Sequence, residues 1–146
     1  MPHVVILYTA NLEPQTDMGQ LCRGLADTML ALHAEDGARV FPQGGTRVYA
    51  YPAPHSAVSD GGAAGRAAGG DGDYGFIYIN LRMGAGRSPA VHKAAGDALL
   101  GCAKAHLAPL FADARKHLGL TVQIDEAPGQ VYDAKHSTLH PLFPPR

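Results

Sequence analysis

The first apolar run, Pro2 to Thr9 (PHVVILYT), is β-branched and apolar on both of its alternating faces, which is how a central strand buried on two sides reads. Proline has no amide proton to give a sheet and is tolerated mainly where a strand begins, so Pro2 marks its start. The spacing then changes. Met18, Leu21, Cys22, Leu25, Met29 and Leu32 recur at helical intervals and predict an amphipathic helix, with Thr16 placed to cap its start and Gly37 its end. After the turn FPQGG, the segment TRVYAY alternates and sets Arg47, Tyr49 and Tyr51 on one face, opposite Val48 and Ala50.

Residues 52–72, PAPHSAVSDGGAAGRAAGGDG, carry no period at all and predict a mobile surface loop. A second strand–helix–strand unit follows. In DYGFIYINLRM, Ile77, Ile79 and Leu81 alternate with Phe76, Tyr78 and Asn80. A helix opens after GAGRSP, with Ser88 as N-cap and Pro89 at the first helical position, and Val91, Ala95, Ala98, Leu99 and Cys102 form its core face. Pro109 cannot donate to the carbonyl of Ala105 and its ring crowds that turn, which predicts a kink or break before PLFADARKHLG. In LTVQIDE, Leu120, Val122 and Ile124 point one way, and a Pro-rich tail ends the chain.

The pattern predicts an α/β (α+β) fold made of a single domain. It comprises two β-α-β repeats, residues 2–53 and 73–127, joined by the Gly/Ala-rich loop 54–72 and followed by a tail over 128–146. Side by side the units make a four-stranded sheet with both helices on one face. The first and third strands look apolar on both faces, so the uncovered face requires another subunit.

Composition narrows the function. The 146 residues, 46% hydrophobic and 17% charged, suit one modest core. Twelve Lys and Arg against 13 Asp and Glu, with no basic block, make nucleic acid a poor partner. No stretch approaches the roughly 20 apolar residues of a membrane helix, and no leader pattern is present, so a soluble cytoplasmic protein with no membrane association is expected. Cys22 and Cys102 fall in helical patterns and read as structural thiols.

Candidate chemistry is sparse. LRMGAGRSP lies between a strand and a helix, but the third glycine of a dinucleotide fingerprint is replaced by Pro89. What remains is Arg87 beside a helix N-cap, a place for an anion, or else only a tight glycine turn with a solvated arginine. Arg47 offers the same choice. The eight histidines form no HExxH and no ligand-spaced Cys/His pair, so neither a metal nor a cofactor is expected. There is no GxSxG elbow. If Met1 is removed, Pro2 becomes a secondary amine able to act as a base.

These pieces coincide in one order: an N-terminal PH before a strand, FPxxGxR (Phe41, Pro42, Gly45, Arg47), DYxF (Asp73, Tyr74, Phe76), GAGRS (residues 84–88) and HxLF (His140, Leu142, Phe143). Together, from Pro2 to about Phe143, they resemble the 5-carboxymethyl-2-hydroxymuconate Δ-isomerase family of the tautomerase superfamily. The resemblance implies β-α-β repeats assembled as a homotrimer. It implies Pro2 as the catalytic general base, Arg47 and Arg87 as binders of a small carboxylated dienol, and a place in aromatic-compound catabolism by the homoprotocatechuate route. Residues 57–72 form a longer connection than is usual in that family, able to reshape a pocket rim. Two other readings stand beside it: a tautomerase acting on a smaller 2-oxo acid, and a non-enzymatic trimeric ligand-binding protein whose Pro2 serves strand geometry alone.

Overall fold

A computed structural model describes residues 2–143; the expected removal of Met1 and the last three residues of the tail lie outside it. Four strands, β1 (His3–Thr9), β2 (Arg47–Ala53), β3 (Gly75–Gly84) and β4 (Leu118–Ala127), form one mixed sheet in the order β2-β1-β3-β4. β1 runs parallel to β2, and β3 parallel to β4, as each β-α-β unit demands, while the two units meet antiparallel along β1 and β3. Helices α1 (Met18–Ala31) and α3 (Pro89–Ala112) lie on the same face of the sheet, α1 against β2 and α3 against β4, and touch each other. The expected architecture is therefore present.

Alternation decides what is buried. Val4, Ile6 and Tyr8 of β1 and Ile77, Ile79, Leu81 and Met83 of β3 face the helices and are enclosed by Leu21, Leu25 and Met29 of α1 and Leu99, Ala103 and Leu107 of α3. The opposite face carries Leu7, Tyr49, Tyr51 and Phe76, each between 39% and 52% exposed, so one side of the sheet has no cover within the chain. Cys22 and Cys102 are free and half-buried between the helices, and burial pushes the Cys22 thiol up. Among the described residues, no helix is long and apolar enough to cross a membrane.

Four local expectations are corrected. Asp17, not Thr16, caps α1, because its carboxylate accepts from the amide of Gln20 at 3.0 Å; Thr16 instead pairs its hydroxyl with His106 Nε2 at 3.0 Å. α1 ends at Ala31 rather than near Gly37. Leu32 turns extended and starts a small hairpin, closed by the Val40 amide donating to Leu32 O, in which Gly37 holds the left-handed corner at φ +81°. α3 runs through Pro109 without a break. The proline sits in the last turn, so it deletes one hydrogen bond, to Ala105 on the exposed side where water can replace the donor, while Leu107 and Leu110 keep the turn anchored.

The fourth correction concerns residues 54–72, which are not a structureless loop. They contain a short helix, α2 (Ala63–Ala67), whose entry is held by Asp60 accepting from the amides of Gly62 and Ala64 at 3.0 and 2.9 Å. Tyr74 Oη accepts from the Gly65 amide at 2.8 Å, and the Asp71 amide donates to Arg115 O at 2.8 Å. Close backbone approach explains the glycine content: a Cβ on Gly62 would lie 2.1 Å from Gly72 O, and Gly62 itself sits at φ +97°. Glycine here permits close backbone approach.

Candidate active site

The antiparallel meeting of β1 and β3 brings distant segments to one end of the sheet. β1 and β2 begin there, β3 and β4 end there, and the turn from β3 into α3 starts there. Pro2, buried, directly precedes β1. His3, the next residue, stands opposite Arg47 on β2 and opposite Arg82 on β3. Arg87 lies in the turn that follows Gly84. The three residues picked out from motifs thus lie at one end of the sheet, though they come from separate parts of the chain.

Arg47 is positioned by its own motif. A 3₁₀ turn over Gln43–Gly45 folds the chain back so that the amides of Gly45 and Thr46 and the hydroxyl of Thr46 all donate to Pro42 O, at 3.2, 3.1 and 2.8 Å. The strand begins immediately afterwards, with the Arg47 side chain half-buried on the uncovered face. Its guanidinium donates to Gly45 O at 3.2 Å, and no carboxylate pairs with it among the described residues.

Arg87 is held differently from the expectation of a free guanidinium beside a helix N-cap. Its Nε and Nη2 donate to Val40 O at 3.4 and 3.0 Å, its Nη1 donates to Gly84 O at 3.1 Å, and its plane lies 5.3 Å above the ring of the fully buried Phe41. A guanidinium has five N–H donors, so three engaged leave two for an anion. Ser88 caps α3 as expected, accepting from the Val91 amide at 3.2 Å, with Pro89 at the first position. Val40 and Phe41 were the unforeseen members of this site. Phe41 belonged to a motif, but nothing local in the sequence indicates that Arg87 is its partner.

Two further motif pieces take separate places. The tail returns to the same end, where His140 opens a 3₁₀ turn over His140–Leu142, so close to Gly44 that a Cβ there would meet His140 Cα at 3.2 Å. The DYxF piece lies at the far end of the sheet, where the Asn11 amide donates to Asp73 at 3.0 Å and to Tyr74 O at 2.9 Å. It supports β3 and the 54–72 segment rather than the site. That segment joins the end of β2 to the start of β3, so within the chain it does not rim the end where Pro2 lies.

Residues 2–143 match the model of the family described as CHMI, 5-carboxymethyl-2-hydroxymuconate isomerase. A 5-carboxymethyl-2-hydroxymuconate Delta-isomerase of Escherichia coli is 26% identical over 143 residues, 98% of this chain and 99% of its own. A crystal structure of a 5-carboxymethyl-2-hydroxymuconate delta-isomerase is 57% identical and superposes with a TM-score of 0.92, over 100% of this chain and 95% of that one. A 5-carboxymethyl-2-hydroxymuconate isomerase from Deinococcus radiodurans R1 gives 31% identity and 0.75 over 97% and 92%. A fused 4-OT wild-type symmetric trimer shares the fold alone, at 19% identity and 0.51 over 96% and 95%.

Proposed function

The chain belongs to the 5-carboxymethyl-2-hydroxymuconate isomerase family and is an isomerase, and from that premise we propose that Pro2, freed by removal of Met1, is the base that moves the double bond. The substrate is 5-carboxymethyl-2-hydroxymuconate, a conjugated dienol. It loses its hydroxyl proton, the electron pair is spread along the chain, and a proton returns to a distant carbon, leaving a ketone. One base that accepts and then donates serves both transfers. A secondary amine does this if it is neutral at the working pH. An ordinary α-amine titrates near about 7.7 to 8.0, and burial beside arginines favours its neutral form.

Arg47 and Arg87 bind two carboxylates and stabilise the charge that spreads toward them as the proton leaves. The observation carrying this assignment is that the starts of β1 and β2 and the turn after β3 share one end of the sheet. Each desolvated charge-assisted hydrogen bond contributes about 1.5 to 3 kcal/mol. Assembly as a homotrimer is part of the same proposal, supported by the uncovered face with Leu7 at 48% and Tyr51 at 52% exposure. The reaction then belongs to cytoplasmic catabolism of aromatic compounds.

The test is ultraviolet turnover of the muconate by the wild type, by Pro2→Ala and by a form that retains Met1, in which the nitrogen of Pro2 is an amide. Retaining Met1 removes the basic nitrogen and should cost about 100-fold or more in kcat, while Pro2→Ala, which leaves a primary amine in place of the secondary one, should cost less. Equal rates in all three forms would remove Pro2 from the mechanism.

A further inference from the structure

We infer that Arg82, with His3 beside it, is a specificity-determining residue that receives the carboxymethyl carboxylate of the substrate; this rests on the function proposed above. Register places four side chains in one transverse row on the uncovered face: Arg47, His3, Arg82 and Asp125. Neighbouring strands lie about 4.8 Å apart, so the two arginines flank His3 at roughly that spacing on either side. The row is the last on that face in which all four strands take part, at the end where Pro2 begins the strand.

The row has too little negative charge of its own. Asp125, its one acid, accepts from the Asn80 amide at 2.8 Å, and neither Arg47 nor Arg82 makes an ion pair among the described residues. His3 Nδ1 is buried and has no hydrogen-bond partner. The two arginines on either side of His3 repel one another, and a buried unpaired nitrogen costs free energy, unless an anion is shared between them.

The substrate supplies such an anion. Muconate has a carboxylate at each end, and the carboxymethyl arm adds a third. Arg47 and the two remaining donors of Arg87 account for two, leaving the third to be met by a further cation. Arg82, exposed and in no ion pair among the described residues, stands on the other side of His3 from Arg47 and offers a planar fork for it. The smaller dienol, with hydrogen in place of the arm, would gain nothing from that group.

The experiment compares two substrates, the muconate and its analogue with hydrogen in place of the carboxymethyl arm, in wild type, Arg82→Gln and Arg82→Lys. In Arg82→Gln the ratio of kcat/KM between the two should fall ten- to a hundredfold, through KM for the larger substrate, and Arg82→Lys should recover part of it. Calorimetric binding of 2-(carboxymethyl)hexanedioate against hexanedioate reads the same contrast without turnover. If the wild type turns over neither dienol yet Arg82→Gln abolishes its preference for the larger acid, the proposed function fails while the anion site stands. An unchanged preference in both measurements, equal losses on both ligands, or dissociation of the oligomer by Arg82→Gln would overturn the assignment, the last by making Arg82 an interface residue.

Discussion

Arg87 donates to the backbone carbonyl of Val40, 47 residues earlier, at 3.0 Å, and so ties the segment after α1 to the turn that opens α3. The same guanidinium is therefore a structural tie and a candidate anion binder. Arg47, with one contact to the carbonyl of its neighbour Gly45, is free of that double duty. The two arginines should respond differently to substitution.

Arg47→Ala is expected to lower kcat/KM roughly ten- to a hundredfold, the loss of one charge-assisted contact, with the unfolding midpoint unchanged. Arg87→Ala should lower activity and also cost about 1 to 3 kcal/mol of stability, because Val40 O and Gly84 O lose their donor. Denaturant titration beside steady-state kinetics separates these outcomes. Equal stability losses in both variants would contradict the tie.

The uncovered sheet face predicts association. Sedimentation equilibrium should give three chains for the wild type, and Leu7→Lys, which puts a charge at the centre of that face opposite Tyr51 and Tyr78, should give monomers with the far-ultraviolet spectrum retained. A monomeric wild type, or a trimeric Leu7→Lys, would show that the face is not the interface.

The 54–72 segment should loosen in acid before the sheet does. The Ala64 amide, followed by that of Gly62, holds the Asp60 carboxyl below its ordinary range. A lowered folded value adds stability that is present above the unfolded value near about 3.9 and is lost as pH falls through the folded one. Protection of the Ala64 amide from exchange, relative to an unstructured amide at the same pH, should therefore fall below about pH 4 in the wild type. In Asp60→Ala it should be low already at pH 7, with turnover unaltered at the opposite end of the sheet. Slow exchange in Asp60→Ala at neutral pH would mean that the cap does not hold the segment.

Tyr8 makes an alkaline prediction. Burial, and then its hydrogen bond to the Glu13 carboxylate, raise its hydroxyl from an ordinary value of about 10 to about 12. Between these values the unfolded chain has lost the proton and the folded chain has kept it, so stability falls as pH rises. Tyr8→Phe lacks this slope. Its stability relative to wild type should improve from pH 9 to pH 11.5, measured by denaturant midpoints at each pH, and a constant difference would place the shift elsewhere.

Much of this molecule could be read from residues in order, because periodicity reports which side of an element meets apolar neighbours. Ile77, Ile79 and Leu81 alternate, Leu21 and Leu25 recur at a helical interval, and each assignment needs only near neighbours. The motif positions Pro2, Arg47 and Arg87 were legible for the same reason, as short local patterns. Errors arose where a local rule met a non-local contact. Pro109 read as a kink or break because the buried anchoring of Leu107 and Leu110 was invisible, and α2 went unread within 54–72 because the close approach of its glycines to Gly72, Tyr74 and His117 was invisible.

The sequence by itself determined the repeat, the strands and helices, the family and the residue types available for chemistry. Only the tertiary structure decided that β1 and β3 meet antiparallel, and hence that Pro2, Arg47 and Arg87 share one end of the sheet while DYxF holds the other. The physical reason is that side-chain period is a property of the backbone within one element, whereas register and direction between elements are set by the backbone hydrogen bonds and packing of segments tens of residues apart. Val40 and Phe41 became partners of Arg87, and Arg82 a neighbour of His3, only through that pairing.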